Sequence, residues 1–374
     1  MKFTANKEEF LYSLTTADSI INVKSPLAML LNVYIEAQND GTIIMLSYNG
    51  ENGVKVESNG IVEEPGKIAL LSKKLLESVR KIPSEKITIQ TIPEKEHEIK
   101  INPADKENPV FNLNGVSGDA YPIFYEFNWE SYIKLDQETL LEQIVCTEFS
   151  ISTDFSKPAF TGTYIEESVE GYLSFVTSDG KRLAAITREI EEKKGKVDLG
   201  IIVPEKVFKT IQPILKTGEA LFSVQNNQAF FKLGNVYIFS NLVDGKFPNY
   251  KDVIPSERVN VAVLDSSVFL EAIDIVSVMS DPDTKKIKIE LDENRMTIVS
   301  SHPIYGVAKE EVEIEYKGTP IAIACNYQAL ADFLKVVNGK RIEFVINSQG
   351  SPMLLKTIGD DNYIYISMPL KLYE

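Results

Sequence analysis

Alternating apolar and polar positions recur along the chain in a strand-then-helix pattern. Three segments each begin with a short alternating stretch, continue with a polar residue suited to start a helix, and end with apolar residues at helical spacing. They are residues 3–11, 133–141 and 261–269. Their starts lie about 130 residues apart, and such regular spacing indicates an internal repeat. We therefore predict a strand followed by an amphipathic helix at the start of each third.

A second strand-then-helix unit recurs inside each third and is followed by a further strand. The units are predicted at residues 68–80, 201–211 and 321–333, and the strands that follow them at 87–91, 221–225 and 342–346. Ser72, Pro204 and Asn326 stand where the helices begin, as residues that cap or preorganise a first helical turn do.

The thirds also end alike, with an alternating strand followed by an aromatic-proline or methionine-proline pair. The pairs are Tyr121-Pro122, Phe247-Pro248 and Met368-Pro369. We predict three domains of α+β class, at residues 1–130, 131–258 and 259–374. Each should hold two helices and roughly eight strands, with the helices on one face of antiparallel sheets. The matching starts, middles and ends disfavour the alternative of three unrelated α+β domains.

Length and composition agree with several domains and add a cellular location. A chain of 374 residues is too long for one hydrophobic core and fits two or three domains. No stretch approaches the roughly 18 apolar residues of a membrane helix, and residues 1–10 lack the apolar region of a signal peptide. Cys146 and Cys325 lie far apart in apolar surroundings, which indicates buried free thiols rather than a disulfide. We therefore expect a protein of the reducing cytoplasm.

Charge is distributed unevenly along the chain. A net charge of −15 argues against nonspecific coating of nucleic acid. Basic residues nevertheless gather on the second predicted helix of the first two thirds: Lys73, Lys74, Arg80, Lys81 and Lys86 in one, and Lys206, Lys209 and Lys216 in the other. A solvated helix face and a local phosphate-binding surface fit this pattern equally well.

The sequence contains no recognisable catalytic constellation. His97 and His302 stand in polar or turn-like contexts, and a strand of alternating charges explains residues 96–98 better than a metal site does. Asp179 is better explained as a turn residue than as a general base. A hydrolase that uses Asp179 and Asp244 is therefore the weakest hypothesis, and we expect no enzyme, no cofactor and no metal.

Three motifs taken in chain order resemble a known family. Residues 177–184 read Thr-Ser-Asp-Gly-Lys-Arg-Leu-Ala, in which Asp179-Gly180 is a two-residue hairpin signal. Residues 244–250 read Asp-Gly-Lys-Phe-Pro-Asn-Tyr, and residues 368–372 read Met-Pro-Leu-Lys-Leu. Together with the Met-Lys-Phe-Thr start, they resemble the bacterial DNA polymerase III beta subunit, the replication sliding-clamp family, over the full length.

The resemblance implies a homodimeric ring of three clamp domains per chain, with helices lining the inside and antiparallel sheets outside. Such a ring encircles duplex DNA irrespective of sequence, is opened by a clamp loader, and tethers the DNA polymerase III catalytic subunit and other clamp-motif proteins as a processivity factor. Three residues match family positions that touch DNA: Lys24, Lys73 and Arg80. Lys206, a basic residue on the second helix of the central domain, is expected to contact DNA as well. The alternative is an open adaptor built of the same repeats, which binds peptides and never closes.

Four residues match the family's dimer interface. Phe111 and Leu113 lie on one side of the predicted junction, and Val278 and Met279 lie on the other. These apolar side chains are expected to become buried when two chains close the ring.

The resemblance also implies a partner-peptide cleft between the second and third domains. Its matching positions are Phe160, Ser178, Gly180, Lys181, Arg182, Leu183, Pro248, Asp252, Val253, Pro352, Ile366, Ser367, Met368, Pro369, Leu370 and Lys371. Lys181 replaces the usual histidine, Asp252 stands where a basic residue is frequent, and residues 373–374 extend beyond the usual last leucine. We expect Lys181 to favour acidic residues in the bound peptide.

Overall fold

A capped helix follows the first strand of every third. The side chain of Asn6 accepts hydrogen bonds from two backbone N–H groups of the first helical turn, at 2.9 and 3.1 Å. The carboxylate of Asp136 accepts one such bond at 2.7 Å, and that of Asp265 accepts one at 2.8 Å. Each side chain satisfies an N–H group that the helix itself leaves unpaired. The three predicted strand-then-helix starts are therefore confirmed.

The second helices begin at the predicted residues, but for different reasons. Asn326 caps its helix by accepting two backbone N–H groups at 2.9 and 3.2 Å. Pro204 is the last strand residue before its helix. Ser72 is the first residue of its helix, after the N-cap position at Leu71, and it makes no cap; its hydroxyl donates to the carboxylate of Asp18 at 2.5 Å. The expectation that Ser72 acts as a cap was wrong.

The computed structural model describes residues 1–22, 24–93, 95–122, 127 and 129–372, apart from the side chain of residue 96. Within them, each third contains two helices and nine strands, slightly more strands than the sequence pattern predicts. The first third comprises β1 (Lys2–Asn6), α1 (Lys7–Asp18), β2 (Asn32–Ala37), β3 (Thr42–Tyr48), β4 (Asn52–Asn59), β5 (Ile61–Glu64), β6 (Gly66–Leu71), α2 (Ser72–Lys81), β7 (Lys86–Ile92), β8 (Lys95–Pro103) and β9 (Phe111–Ser117).

The other two thirds repeat this order of elements. The second comprises β10 (Tyr132–Asp136), α3 (Gln137–Val145), β11 (Gly162–Val169), β12 (Tyr172–Ser178), β13 (Arg182–Glu189), β14 (Glu192–Lys194), β15 (Ile201–Pro204), α4 (Glu205–Ile211), β16 (Glu219–Gln225), β17 (Gln228–Leu233) and β18 (Val236–Asn241). The third comprises β19 (Val261–Asp265), α5 (Ser266–Ser277), β20 (Lys286–Asp292), β21 (Arg295–His302), β22 (Gly306–Glu313), β23 (Glu315–Lys317), β24 (Ile321–Asn326), α6 (Tyr327–Val336), β25 (Arg341–Ile346), β26 (Met353–Thr357) and β27 (Tyr363–Ser367).

The chain forms two compact units, and the central third contributes to both. The first unit comprises Met1–Leu140, Glu191–Asp198 and Lys206–Leu242, and the second comprises Leu141–Ile190, Leu199–Glu205 and Val243–Glu374. In the first unit a single antiparallel sheet has the strand order β14-β10-β16-β17-β18-β4-β3-β2-β6-β9-β8-β7-β1-β5. The second unit contains the sheets β15-β11-β12-β13-β27-β26-β25-β19-β23 and β22-β21-β20-β24.

Each unit contains one junction at which strands of two successive thirds pair. In the first unit β18 pairs antiparallel with β4, and Phe239 lies opposite Gly53. In the second unit β27 pairs antiparallel with β13, and Ile366 lies opposite Leu183. Because the same two strands of the repeat meet at both junctions, the junctions are structural counterparts.

Two strands that correspond to the junction strands have an edge without a partner among the described residues. The β22 strand pairs with β21 alone and ends its sheet. In β9, residues 111–114 pair with β8 on one side, and only residues 115–117 pair with β6 on the other. By position in the repeat, β22 corresponds to β4 and β13, and β9 corresponds to β18 and β27.

The helices of the first third are held on the sheet by one apolar face. Phe10 and Leu14 of α1 and Leu75 and Val79 of α2 are buried in one cluster with Phe3 of β1. Burial of each such side chain contributes roughly 1.5–3 kcal/mol. The opposite face of α2, which carries its basic residues, therefore remains exposed to solvent.

Candidate functional site

The turn between β12 and β13 is built by its own side chains. Gly180 has a φ of +86°, a conformation that residues with a Cβ rarely adopt. The carboxylate of Asp179 accepts the backbone N–H groups of Lys181 and Arg182 at 2.8 and 2.9 Å. The hydroxyl of Ser178 accepts the N–H of Gly180 at 3.0 Å. The interpretation of Asp179 as a turn residue is confirmed.

Arg182 is fixed between two carboxylates. Its Nε donates to Asp179 at 3.1 Å and its Nη1 donates to Asp332 of α6 at 2.6 Å. Gln328, one turn earlier on α6, donates to the other oxygen of Asp332 at 2.8 Å. Burial disfavours the guanidinium charge, but the hydrogen bond to Asp332 and the nearby negative charges outweigh it and raise the pKa of Arg182. The guanidinium therefore stays charged and is held in one orientation.

Beside this turn lies a cavity of about 200 Å³ within the second unit. Its lining residues are Phe160, Ser178, Gly180, Lys181, Arg182, Leu183, Phe247, Pro248, Asn249, Tyr250, Val253, Ile366 and Met368. The lining is mainly apolar, with a few polar groups at the turn, which is the usual composition of a ligand pocket.

Aromatic packing fixes one wall of the cavity. Phe247 stacks on Tyr164 with ring centres 4.9 Å apart and planes inclined by 9°. Phe160 meets the ring of Phe247 edge-on at 5.8 Å. Phe247 and Tyr250 are buried, whereas Val253 and Met368 are each 42% exposed at the opening. The cavity thus has a rigid apolar floor and two accessible apolar side chains.

The end of the chain is bound to the same turn. The backbone N–H of Met368 donates to the carbonyl of Lys181 at 2.8 Å, and that of Leu370 donates to the carbonyl of Ala324 at 2.7 Å. These bonds hold the Met368 side chain at the cavity opening. Residues 373–374, named above as a departure from the family, lie outside the described residues.

The structure brings most of the predicted cleft residues together and leaves some outside the cavity. Ten line it: Phe160, Ser178, Gly180, Lys181, Arg182, Leu183, Pro248, Val253, Ile366 and Met368. Pro352, Asp252, Ser367, Pro369, Leu370 and Lys371 are not among its lining residues. Their part in peptide binding, like that of the ten, stays a prediction.

Sequence reasoning missed four residues of this site. Phe247, Asn249 and Tyr250 line the cavity, and the Phe-Pro-Asn-Tyr motif that carries them was the available signal. Asp332 holds Arg182 from 150 positions away in sequence, and no local pattern pointed to it.

Two of the predicted dimer residues lie on β9, and the other two directly follow α5, a helix that contacts β22. Phe111 and Leu113 are half-buried on β9 and pack against the core of the first unit. Val278, directly after α5, is 72% exposed, and Met279 is half-buried. Further exposed apolar side chains lie on α5 and on the β21–β22 hairpin: Val268, Ile275, Ile304, Tyr305 and Val307.

The predicted DNA-contacting residues are all exposed. Lys24 lies in a turn after α1, Lys73 and Arg80 lie on α2, and Lys206 lies in the first turn of α4. None of the four side chains forms a salt bridge with the described part of the chain. Lys74, between Lys73 and Arg80, is paired with Glu77 at 2.8 Å. The four charges are therefore available to an external anion.

His302 and the two cysteines have structural surroundings. His302 accepts the backbone N–H groups of Ile304 and Tyr305 at 3.2 and 3.3 Å, which confirms its turn-like context. Cys146 and Cys325 are buried free thiols, as predicted, and burial raises the pKa of Cys146 to about 11. Among the described residues no group of three or more His, Cys, Asp and Glu side chains could hold a metal ion. No described helix is both long and apolar enough to span a membrane.

Comparison with known proteins gives one family along the whole chain. Residues 1–125 match the N-terminal domain of the DNA polymerase III beta subunit, residues 134–249 match its central domain, and residues 251–371 match its C-terminal domain. The chain is 27% identical over 381 residues to the beta sliding clamp of Caulobacter vibrioides, with both proteins covered completely. It is 25% identical over 387 residues to that of Staphylococcus aureus, again with full coverage.

Solved structures agree in fold. The chain superposes on the DNA polymerase sliding clamp of Bacillus subtilis with a TM-score of 0.93, at 23% identity and full coverage of both chains. It superposes on the sliding clamp of Bartonella birtlesii bound to griselimycin with a TM-score of 0.91, at 24% identity and full coverage of both chains. The three-domain α+β architecture predicted from the repeats is confirmed.

Proposed function

The chain belongs to the DNA polymerase III beta subunit family of sliding clamps, and from that premise we propose that it forms a homodimeric ring around duplex DNA. It is a non-catalytic processivity factor of DNA replication. The ring slides on DNA and tethers the polymerase catalytic subunit through the cavity beside Arg182. The domains extend over residues 1–130, 131–258 and 259–374, and the protein acts in the cytoplasm, where replication takes place.

One observation carries the proposal. The fourth strand of one third pairs with the ninth strand of the next third at two junctions, and the strands that would form a third junction of this kind are not paired with each other. The β4·β18 and β13·β27 junctions join counterpart strands. The third counterpart pair would be β22 and β9, whose edges are open among the described residues. Since both edges belong to one chain, two chains can join head to tail at two equal junctions and close.

Exposed apolar side chains support closure at these edges. Val307 of β22 is 65% exposed, and Val278, which caps the end of α5, a helix in contact with β22, is 72% exposed. Large exposed apolar surfaces on a folded protein mark interaction sites. Phe111 and Leu113 of β9 offer matching apolar surface in the first unit. A second copy that pairs β9 with β22 would cover both.

A closed ring explains how an acidic protein can stay on DNA. With a net charge of −15, the chain as a whole repels the phosphate backbone. Local positive charge comes from four exposed basic side chains, those of Lys24, Lys73, Arg80 and Lys206. Contacts between exposed basic side chains and phosphates are weak and screened by salt, so the ring can slide along the DNA. Closure of the ring prevents the protein from leaving the DNA sideways. A clamp loader is needed because a closed ring cannot thread onto closed circular DNA.

The decisive experiment compares one DNA molecule before and after a single cut. The protein is loaded onto a nicked circular plasmid with a clamp loader and ATP, and free protein is removed at moderate salt. We expect the protein to remain on the circle and to leave within minutes once a restriction enzyme makes the plasmid linear. Equal retention on circular and linear plasmid would refute a topological link.

Solution mass separates the ring from an open adaptor built of the same repeats. A ring gives about twice the mass of one chain, whereas an adaptor gives the mass of one chain. The adaptor is not favoured, because it would leave the β9 and β22 edges and their apolar side chains exposed to water.

A further inference from the structure

One wall of the peptide cleft beside Arg182 belongs to a segment that lies outside the sheets. Phe247, Tyr250 and Val253 line the cavity from this segment, which comprises residues 244–258. Among the described residues, no backbone–backbone hydrogen bond joins the segment to another element, and the bonds within it are local turns. The position of the wall therefore depends on side chains.

One carboxylate on β11 holds this wall. The Tyr250 hydroxyl and the Lys251 ammonium group both bind the same oxygen of Glu166, at 2.8 and 3.0 Å. The Tyr164 hydroxyl donates to the other oxygen at 3.3 Å. Because Phe247 stacks on the Tyr164 ring, Glu166 holds the segment directly at two residues and supports Phe247 through a third.

The carboxylate keeps its charge although its side chain is only 18% exposed. Burial disfavours the charge, but the hydrogen bonds from Lys251 and Tyr250 outweigh it and lower the pKa of Glu166. Burial and the bond to Glu166 raise the pKa of Tyr250, so its hydroxyl remains a donor. Within the described part of the chain, Glu166 is the only side chain of another element that bonds a polar group of residues 244–256.

The same tyrosine-glutamate pair occurs at the counterpart position of the first unit. Tyr34 and Glu36 are the third and fifth residues of β2, as Tyr164 and Glu166 are of β11. The Tyr34 hydroxyl donates to Glu36 at 2.8 Å, and Gln38 donates to it at 3.3 Å. Both donors lie within two positions of Glu36, so among the described residues its carboxylate attaches no distant segment.

The aromatic-proline pair explains this difference between the units. In the first unit the hydroxyl of Tyr121 donates to the carbonyl of Asn32 at 3.0 Å and accepts the N–H of Tyr48 at 3.1 Å. Tyr121 is thus attached to the sheet by its own side chain. Its counterpart Phe247 has no hydroxyl, so the segment that carries Phe247 needs another polar attachment, and Glu166 supplies it.

We propose that Glu166 is a positioning residue for the peptide cleft, which holds the wall of Phe247, Tyr250 and Val253 in place before a peptide binds. The inference rests on the proposed function, since it takes the cavity beside Arg182 as the site of the polymerase peptide. Glu166 does not line that cavity and acts through Tyr250, Lys251 and Tyr164. A wall held in advance leaves less ordering to be driven by binding, which strengthens affinity without a new contact.

Peptide affinity in the full-length protein gives the first test, measured by anisotropy with a labelled polymerase C-terminal peptide. Binding to Glu166→Ala should be at least about fivefold weaker, because binding must then order the wall. Glu166→Gln keeps an acceptor for the Tyr250 hydroxyl and should recover part of the affinity. The matched control Glu36→Ala removes the counterpart acceptor and should bind as the unmodified protein does. An equal loss in this control would show a general effect on the fold and overturn the positioning role.

A double-mutant cycle tests whether Glu166 acts through Tyr250. Tyr250→Phe removes only the hydroxyl and should weaken binding on its own. In the Glu166→Ala background it should cause no further loss, because the bond is already absent. Additive losses would overturn the proposal.

Tryptic cleavage after Lys246 reports the position of the wall without any peptide. Cleavage there requires the buried Phe247 to leave its place, so it should be faster in Glu166→Ala than in the unmodified protein or in Glu36→Ala. Unchanged peptide affinity or an unchanged cleavage rate in Glu166→Ala overturns the positioning role. Faster cleavage in Glu166→Ala, together with no peptide binding by the unmodified protein, would count against the proposed function alone.

Discussion

Lysine in place of Val278 is expected to separate the dimer into folded single chains. Val278 is 72% exposed, so in one chain its side chain already meets water and the substitution leaves no cavity. It lies at the C-terminal end of α5, where a positive charge is favourable to the helix. The single chain should therefore keep its stability, and any effect should come from the contact between chains.

The size of the effect follows from two equal junctions per ring. Burying a valine side chain contributes roughly 1.5–3 kcal/mol, and each junction contains one Val278, so the dimer loses about 3–6 kcal/mol. This corresponds to a dimer about 10²- to 10⁴-fold weaker, since each 1.4 kcal/mol changes an equilibrium constant tenfold. Desolvation of the lysine adds to the loss. The figure is thus a lower bound.

Sedimentation velocity across nanomolar to micromolar concentrations measures the change. Val169→Lys is the matched control, because Val169 is 63% exposed at the end of β11 and belongs to no predicted contact. The control should sediment as the unmodified protein does. If Val278→Lys keeps the dissociation constant of the unmodified protein, Val278 does not lie at the junction.

Further substitutions test the DNA-contacting surface and the peptide cleft. Lys73→Ala and Arg80→Ala should each reduce by about 0.9 the slope of log affinity for duplex DNA against log salt concentration, while Lys74→Ala, whose ammonium group already pairs with Glu77, should reduce it less. Met368→Ala should abolish binding of a fluorescent polymerase C-terminal peptide, measured by anisotropy, and leave the dimer intact, because Met368 is an exposed anchor at the cavity opening. Unchanged anisotropy would mean that the peptide binds elsewhere. An unchanged salt slope would mean that Lys73 and Arg80 do not contact DNA.

The repeated elements could be predicted because each is defined by neighbours in sequence. Asn6, Asp136 and Asp265 start their helices through hydrogen bonds to residues two or three positions on, and a local pattern contains that information. Ser72 looked like a cap by the same rule, but it lies one residue inside the helix and its hydroxyl donates to a carboxylate 54 positions away. Tertiary contacts of this kind override a local preference and leave no local trace.

The residues of the peptide cleft were likewise predictable only where they belong to a contiguous motif. Residues on the Asp179-Gly180 turn and in the Phe-Pro and Met-Pro motifs were found because each motif is contiguous. Asp332 was missed because it reaches Arg182 from α6, 150 positions away in sequence. Which strands meet is a property of the sheet order, and a periodic sequence pattern does not encode it.

Strand pairing across the junctions also determines which fragments of the chain can fold when they are expressed separately. The central third shares β18 with one sheet and β13 with another, so a fragment cut at the domain boundaries would expose two long apolar strand edges. Such edges template aggregation. A stable fragment must keep β18 with β4 or β13 with β27, so a single sequence repeat cut out at its boundaries is too small to be stable.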